Sequence, residues 1–238
     1  MARIIKLERS VIPACDVADL EAFRNLIRQT HDVEGIGGYK IDSALALKYS
    51  LPEVVRIVRE FTEKPIIYDH QKWGTDIPDS GLEVLHVVKE AGVDAIIIFP
   101  QSGPQTQEAY IKAANDFGLG VISGGEMTHK GYKRSEGGYI ADEALAEMYL
   151  LSANLGVTNF VVPGNRVERI EYYMSVLKPK VKGQISLWAP GFVAQGGKIS
   201  DAAKVAGESF HAIVGRGIYA AADMHAAALE LTSQLRGD

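Results

Sequence analysis

Along the whole chain, short apolar runs rich in β-branched residues alternate with longer stretches in which apolar positions recur every three or four residues. The short runs have the pattern of strands covered on both faces, and the longer ones that of amphipathic helices. Their alternation predicts βα units around a parallel sheet. Eight runs read as strands: 11–15, 35–39 ending at Lys40, 65–68, 95–99, 120–125, 159–164, 184–191 and 211–216. Helical periodicity is clearest over 19–27, over 51–58 with Pro52 in its first turn, and over 82–88, where His86 reads as a packed surface histidine. A final Ala- and Leu-rich helix is expected over 220–235. Eight such repeats in 238 residues, with no linker or shift of composition, predict an α/β protein built as a single (β/α)8 barrel domain spanning 1–238.

Composition narrows the function classes. Hydrophobic residues make up 47% and charged residues 23%, as in an ordinary globular protein, and a net charge of −5 provides no basic surplus for nucleic acid. Cys15 is the only cysteine, which excludes an intrachain disulfide and a cysteine-rich metal site and leaves a small buried residue. Charges interrupt the apolar residues of the first ten positions, and no run reaches the roughly 18 apolar residues of a membrane span. The expectation is a cytoplasmic protein without membrane contact.

In a barrel of this kind the polar residues just past each strand converge on one mouth. Here they are Asp16, Lys40, Asp69 with Lys72, Ser123, Gln195 and Arg216. The densest cluster follows the third run, where Asp69, Lys72, Asp76 and Asp79 alternate in sign. Carboxylates close to a lysine keep it an ammonium even when partly buried, and such a lysine can donate a proton to a developing carbanion. On the residues alone, a solvated charged loop remains the alternative. Segments 190–197 and 214–217 are glycine-rich and carry Pro190, Gln195, Gly215 and Arg216. Loops after the seventh and eighth strands are the recurrent phosphate site of the fold, and arginine offers phosphate a bidentate fork. The long connection 126–138, with Thr128, His129, Lys130, Lys133 and Arg134, is expected either to be a lid over an anionic ligand or to be a solvated loop.

Taken together, these segments resemble the orotidine 5'-monophosphate decarboxylase family over nearly the whole chain. Asp16 is similar to the family's ribose-contacting aspartate, Lys40 to its strand-two lysine, and Ser123 to its pyrimidine-contacting serine. Asp69, Lys72 and Asp76-Ile77-Pro78 resemble its Asp-x-Lys-x-x-Asp-Ile signature, and Pro190 to Gly197 with Gly215, Arg216, Ile218 and Tyr219 resemble its phosphate grip. The resemblance implies decarboxylation of orotidine 5'-monophosphate to UMP, the last step of de novo pyrimidine synthesis, in a homodimer whose Asp76 is supplied across the interface. It implies no cofactor and no metal.

The signature departs from the family in one respect. Its two gaps, Asp69 to Lys72 and Lys72 to Asp76, are each one residue longer. Side chains three apart on a strand face opposite sides unless the strand ends or bulges between them. An early strand end at His70-Gln71 would restore convergence, and replacement of the acid by His70 is the alternative. Two rival functions follow from the same residues. A related magnesium-dependent phosphosugar decarboxylase or aldolase would need a glutamate where Ile67 and Tyr68 stand. A non-catalytic nucleotide-binding barrel would keep the phosphate grip and lose the chemistry.

Overall fold

The computed structural model describes residues 3–70 and 76–235. In chain order the elements are β1 Arg9–Cys15, α1 Leu20–Thr30, β2 Tyr39–Ile41, α2 Ser43–Tyr49, α3 Leu51–Arg59, β3 Ile66–Asp69, α4 Ser80–Glu90, β4 Ala95–Ile98 and α5 Pro104–Asp116. They continue with β5 Gly120–Gly124, α6 Asp142–Asn154, β6 Asn159–Val161, α7 Val167–Leu177, β7 Ser186–Ala189, α8 Ile199–Val205, β8 Ser209–Val214, α9 Arg216–Tyr219 and α10 Met224–Ser233. Each strand pairs in parallel with the next, and β8 returns to β1 with Ser10 opposite His211, so the sheet closes into a (β/α)8 barrel as the alternation predicted. Among the described residues no helix is long and apolar enough to cross a membrane.

Side-chain parity divides the sheet into two faces. Ile12, Ala14, Ile67, Ala95, Ile97, Ile122, Val161, Trp188 and Ile213 fill the barrel, while their strand neighbours, such as Val11, Ile66, Val121 and Phe160, pack outward under the helices. The helices supply the other half of that outer core. In α1, Asp19 caps the first turn by accepting the Ala22 amide at 2.9 Å, and Phe23, Leu26, Ile27 and Thr30 line up on the buried side.

Boundaries moved in two places that affect the site. The expected second strand, 35–39, lies too early. Gly35 sits at φ +90 and a Cβ on Gly38 would meet the Pro65 carbonyl oxygen at 2.6 Å, so this close-packed segment makes a single bridge, Ile36 to Val11, and the continuous strand begins at Tyr39. Lys40 is therefore inside β2 and points into the barrel, rather than following the strand. The last helix starts at Met224, not at 220, because Asp223 accepts the Ala226 amide and caps it there. His86 lies on the exposed side of α4 with its ring against Phe117, as a surface histidine should.

Candidate active site

The strands all deliver their C-terminal ends to one side of the barrel, and a cavity of about 260 Å³ opens there. Asp16, Lys40, Asp69, Pro190, Gln195, Gly215 and Arg216, all predicted from the sequence, line it, together with Glu126, Thr128 and Tyr219.

At its base lies a charged pair. Lys40 and Asp69 are 7% and 2% exposed, and the lysine Nζ donates to Asp69 Oδ2 at 2.6 Å while standing 3.5 Å from Asp16 Oδ1. Burial by itself would lower the lysine's pKa, but the charges of Asp69 and Asp16 and the hydrogen bond to Asp69 outweigh it and hold Lys40 above the ordinary lysine range. This ammonium therefore stays charged. Desolvating an ion pair is costly, and a fold that retains one at a cavity has placed it where charge is useful.

The end of β3 separates the two candidates for the first acid. Asp69 shares the inward face with Ile67, whereas His70 is turned outward with Tyr68, their rings 5.2 Å apart, and lines an apolar groove with Leu47, Val84 and Val87. Geometry thus brings Asp69, not His70, to Lys40. Burial lowers the His70 pKa to about 4, so its ring is neutral at physiological pH. Lys72 lies outside the described residues. Asp76 is exposed and borders a different depression, next to Ser102 and Thr106, not the cavity of its own chain.

Ser123 too is taken away from the mouth. Its parity matches that of Val121, so it faces the helical layer and accepts a hydrogen bond from Ser152 of α6 at 2.7 Å. The next inward position is Gly124, where a Cβ would collide with the Phe99 ring at 2.3 Å. On this side of the cavity the hydroxyl-bearing residue in the lining is Thr128, four residues into the following loop.

The opposite polar wall comes from the loops after β7 and β8. Segment 190–197 folds back on itself: Gly197 donates to the Gly191 carbonyl and Val193 to the Gly197 carbonyl, each at 3.1 Å. The loop's amides thus serve its own turn more than the expected anion, and what it offers the cavity is the exposed Gln195 side chain. The turn is tight enough to hold Val193 at φ +59, a conformation that β-branched residues rarely adopt. Arg216 is exposed, and among the described residues it has no carboxylate partner. Tyr219 follows it, its phenol pKa raised by burial and by the charge of Asp16.

Residue Glu126 was missed. It is 2% exposed, at the end of β5, and accepts from Lys133, Arg166, Arg169 and Tyr173. Burial would raise its pKa, but those hydrogen bonds and the Arg169 charge lower it overall, so it is a carboxylate. A charge immediately after the Gly124-Gly125 pair was the available signal. Its partners on α7 stand 40 residues or more away in sequence and could not be paired by reading. Lys133, expected over an anionic ligand, is spent on Glu126, and His129, Lys130 and Arg134 are exposed and do not line the cavity.

Comparison with known proteins bears on the chain as a whole. The model of the orotidine 5'-phosphate decarboxylase / HUMPS family matches residues 9–231. The chain is 31% identical to the orotidine 5'-phosphate decarboxylase of Methanosarcina barkeri, over 96% of this chain and 95% of the relative, and 30% identical to that of Pyrococcus abyssi, over 96% and 100%. Among solved structures, orotidine 5'-phosphate decarboxylase from Pyrococcus horikoshii superimposes with a TM-score of 0.79 at 27% identity, covering 96% of this chain and all of that one. The enzyme from Methanocaldococcus jannaschii complexed with the inhibitor BMP gives 0.83 at 22% identity, over 95% and 98%, a likeness of fold. A family match across nearly the whole barrel, with a buried lysine–aspartate pair at the mouth, makes this chain a member of the orotidine 5'-phosphate decarboxylase / HUMPS family.

Proposed function

We propose that the protein decarboxylates orotidine 5'-monophosphate to UMP without a cofactor, with Lys72 as the cation that stabilises the C6 carbanion and then protonates it. The observation that carries this reading is the Lys40–Asp69 ion pair, buried at the base of a cavity whose other wall presents Gln195 and Arg216, an arginine with no carboxylate partner among the described residues. Breaking the bond between C6 and the carboxylate releases CO₂ and leaves the electron pair on C6. The Lys72 ammonium passes a proton to that carbon and regains one from solvent. Preorganised charge of this kind lowers a barrier because it needs no reorganisation as the carbanion forms. Asp69 and Lys40 fix the polar end of the site, Asp16 lies where a ribose hydroxyl would reach it, and Gln195 and Arg216 take the phosphate. Thr128 supplies the hydroxyl facing the ring, the role first expected of Ser123. Binding the remote phosphate holds the ring against the charged pair and contributes to turnover as well as affinity.

Asp76 completes the site from the second subunit of a homodimer. Its position outside the cavity of its own chain supports this. The magnesium-dependent alternative gains nothing from the inward face of β3, which presents Ile67 and then Asp69, the latter already bound to Lys40.

The test is release of CO₂ from orotidine monophosphate by the wild type and by Lys72→Ala. Wild type is expected to turn over and the variant to lose activity with its fold intact; an unchanged turnover number in the variant would sink the mechanism, and UMP binding without turnover in wild type would favour a binding protein. Mixing Lys72→Ala with Asp76→Ala dimers and letting subunits reassort should restore roughly a quarter of wild-type activity, because random pairing makes half the dimers mixed, each with one intact site. No recovery on mixing would place Asp76 in its own chain's site.

A further inference from the structure

We infer that Glu126 is a positioning residue: with Lys133 and Arg166 it latches the 126–138 connection to α7 and thereby fixes Met127 and Thr128 in the cavity wall. The inference rests on the decarboxylase reading only for what those two residues touch.

Both carboxylate oxygens are already engaged. Oε1 takes Lys133 Nζ at 3.0 Å and Arg166 at 3.2 Å, while Oε2 takes Arg169 Nε at 2.7 Å and the Tyr173 hydroxyl at 2.6 Å. A carboxylate holding four donors has little capacity left to act as a base or to bind substrate, although it borders the cavity. Its charge does its work on the other side. Arg166, oriented by Glu126 and by Glu136 at 3.5 Å, reaches the carbonyl oxygens of Met127 at 3.3 Å and Thr128 at 3.5 Å. Those are the two loop residues that line the cavity after Glu126. Lys133 closes the ring from the far end of the loop, pairing with Glu136 at 3.4 Å as well as with Glu126. The loop is also tied to itself, with Arg134 and Gly138 donating to the carbonyls of Ile140 and Lys133 at 2.7 Å each.

Energetics make this a latch rather than a surface contact. Exposed ion pairs contribute little, but this carboxylate is buried, and removing one partner of a buried pair leaves a desolvated charge. Lifting the loop would carry Lys133 off Glu126 and break the Arg166 contacts to the carbonyls of Met127 and Thr128 together, so the wall is held by several contacts at once.

The test begins with hydrogen exchange on ligand-free protein, which is independent of any substrate. Amides of 127–138 should exchange on the order of tenfold faster in Glu126→Gln and in Lys133→Met than in wild type, with β1 to β4 unchanged and Lys133→Arg close to wild type. Unchanged exchange in both variants would overturn the latch. The second readout is kinetic: both variants should raise KM for orotidine monophosphate by about tenfold with kcat held within about twofold, and the double variant should be no worse than either single one, since they disrupt one unit. A fall in kcat confined to Glu126→Gln would instead place its carboxylate on the substrate. Should Glu126→Gln not fold, Lys133→Met decides alone, because that side chain is partly exposed. Failure of wild type to turn over the substrate would refute the functional reading and leave the exchange result standing.

Discussion

The two ends of the barrel interior are built from the same strands and hold their polar groups in opposite ways. At the mouth, Lys40 and Asp69 are ionised and buried, and Asp16 beside them is exposed. At the floor, inward residues of β1, β6, β7 and β8 form a neutral network: His211 hydrogen-bonds Ser10 at 2.8 Å and Ser209 at 3.5 Å, Ser209 meets Ser186 at 2.7 Å, and Trp188 donates to Asn159 at 3.1 Å. A histidine between two serines suggests nucleophilic chemistry when met in a sequence. Here every member is buried and partnered, and none borders the cavity. Burial with satisfied hydrogen bonds stabilises and specifies a core, whereas burial of charge at an opening costs stability and is kept for function.

The sharpest way to break this contrast is to remove the charge at the mouth altogether. Replacing both partners, as Lys40→Met with Asp69→Leu, removes the two buried charges together, so the melting temperature should fall less than in either single variant. Decarboxylation should fall roughly a thousandfold, as when a preorganised electrostatic contact is lost. A variant that melts early while retaining its turnover would reverse the assignment of the two ends.

The mirror experiment is at the floor. His211→Leu strands the Ser10 hydroxyl, for which His211 is the hydrogen-bond partner, and should cost about 2–3 kcal/mol of unfolding free energy at neutral pH. Turnover per folded molecule should not change, because the network lies a full layer of side chains from the cavity. Urea unfolding paired with kcat measures both; a loss of kcat matching the loss at the mouth would make the floor part of the site.

What could be read from the sequence follows the same division. Strands covered on both faces are nearly continuous apolar runs, so the eightfold alternation was plain, and charges that end such runs, Asp16 and Asp69, were found where they stand. Ser123 failed because an apolar run hides its parity. The outward packing of Val121 and the inward Phe99 against Gly124 show which face is the barrel, and both are contacts beyond the run itself. Lys40 was placed one element too late because Gly35 to Gly38 look like strand to a hydropathy reading, although Gly35 takes a left-handed turn. The role of Glu126 was missed for a deeper reason. Its meaning lies in Arg166, Arg169 and Tyr173, and no local pattern announces a partner that far along the chain.

The smallest expected effect concerns acid, and it too distinguishes the ends. Burial, with a lesser contribution from the Arg3 charge and against the opposing charge of Glu8, lowers His211 to about 3, while an unfolded histidine titrates near 6.5. Its pKa is depressed on folding, so the stability it contributes is complete above about pH 6.5. As pH falls below that value the unfolded chain takes up a proton that the folded chain refuses, and stability is lost until the folded group itself titrates near 3. At pH 5 the loss from this one group should be about 2 kcal/mol, at 1.36 kcal/mol for each pH unit below 6.5. His70, lowered to about 4 in its apolar groove, adds to the same slope. His211→Gln keeps a polar group among the serines but cannot titrate, so its unfolding free energy should vary less between pH 7 and 5, by that same amount, than the wild type's. The mouth behaves otherwise: Lys40 is held charged throughout this range, so it takes up no proton between pH 7 and 5. Parallel pH profiles for wild type and His211→Gln would mean that the floor histidine is not the acid-sensitive group.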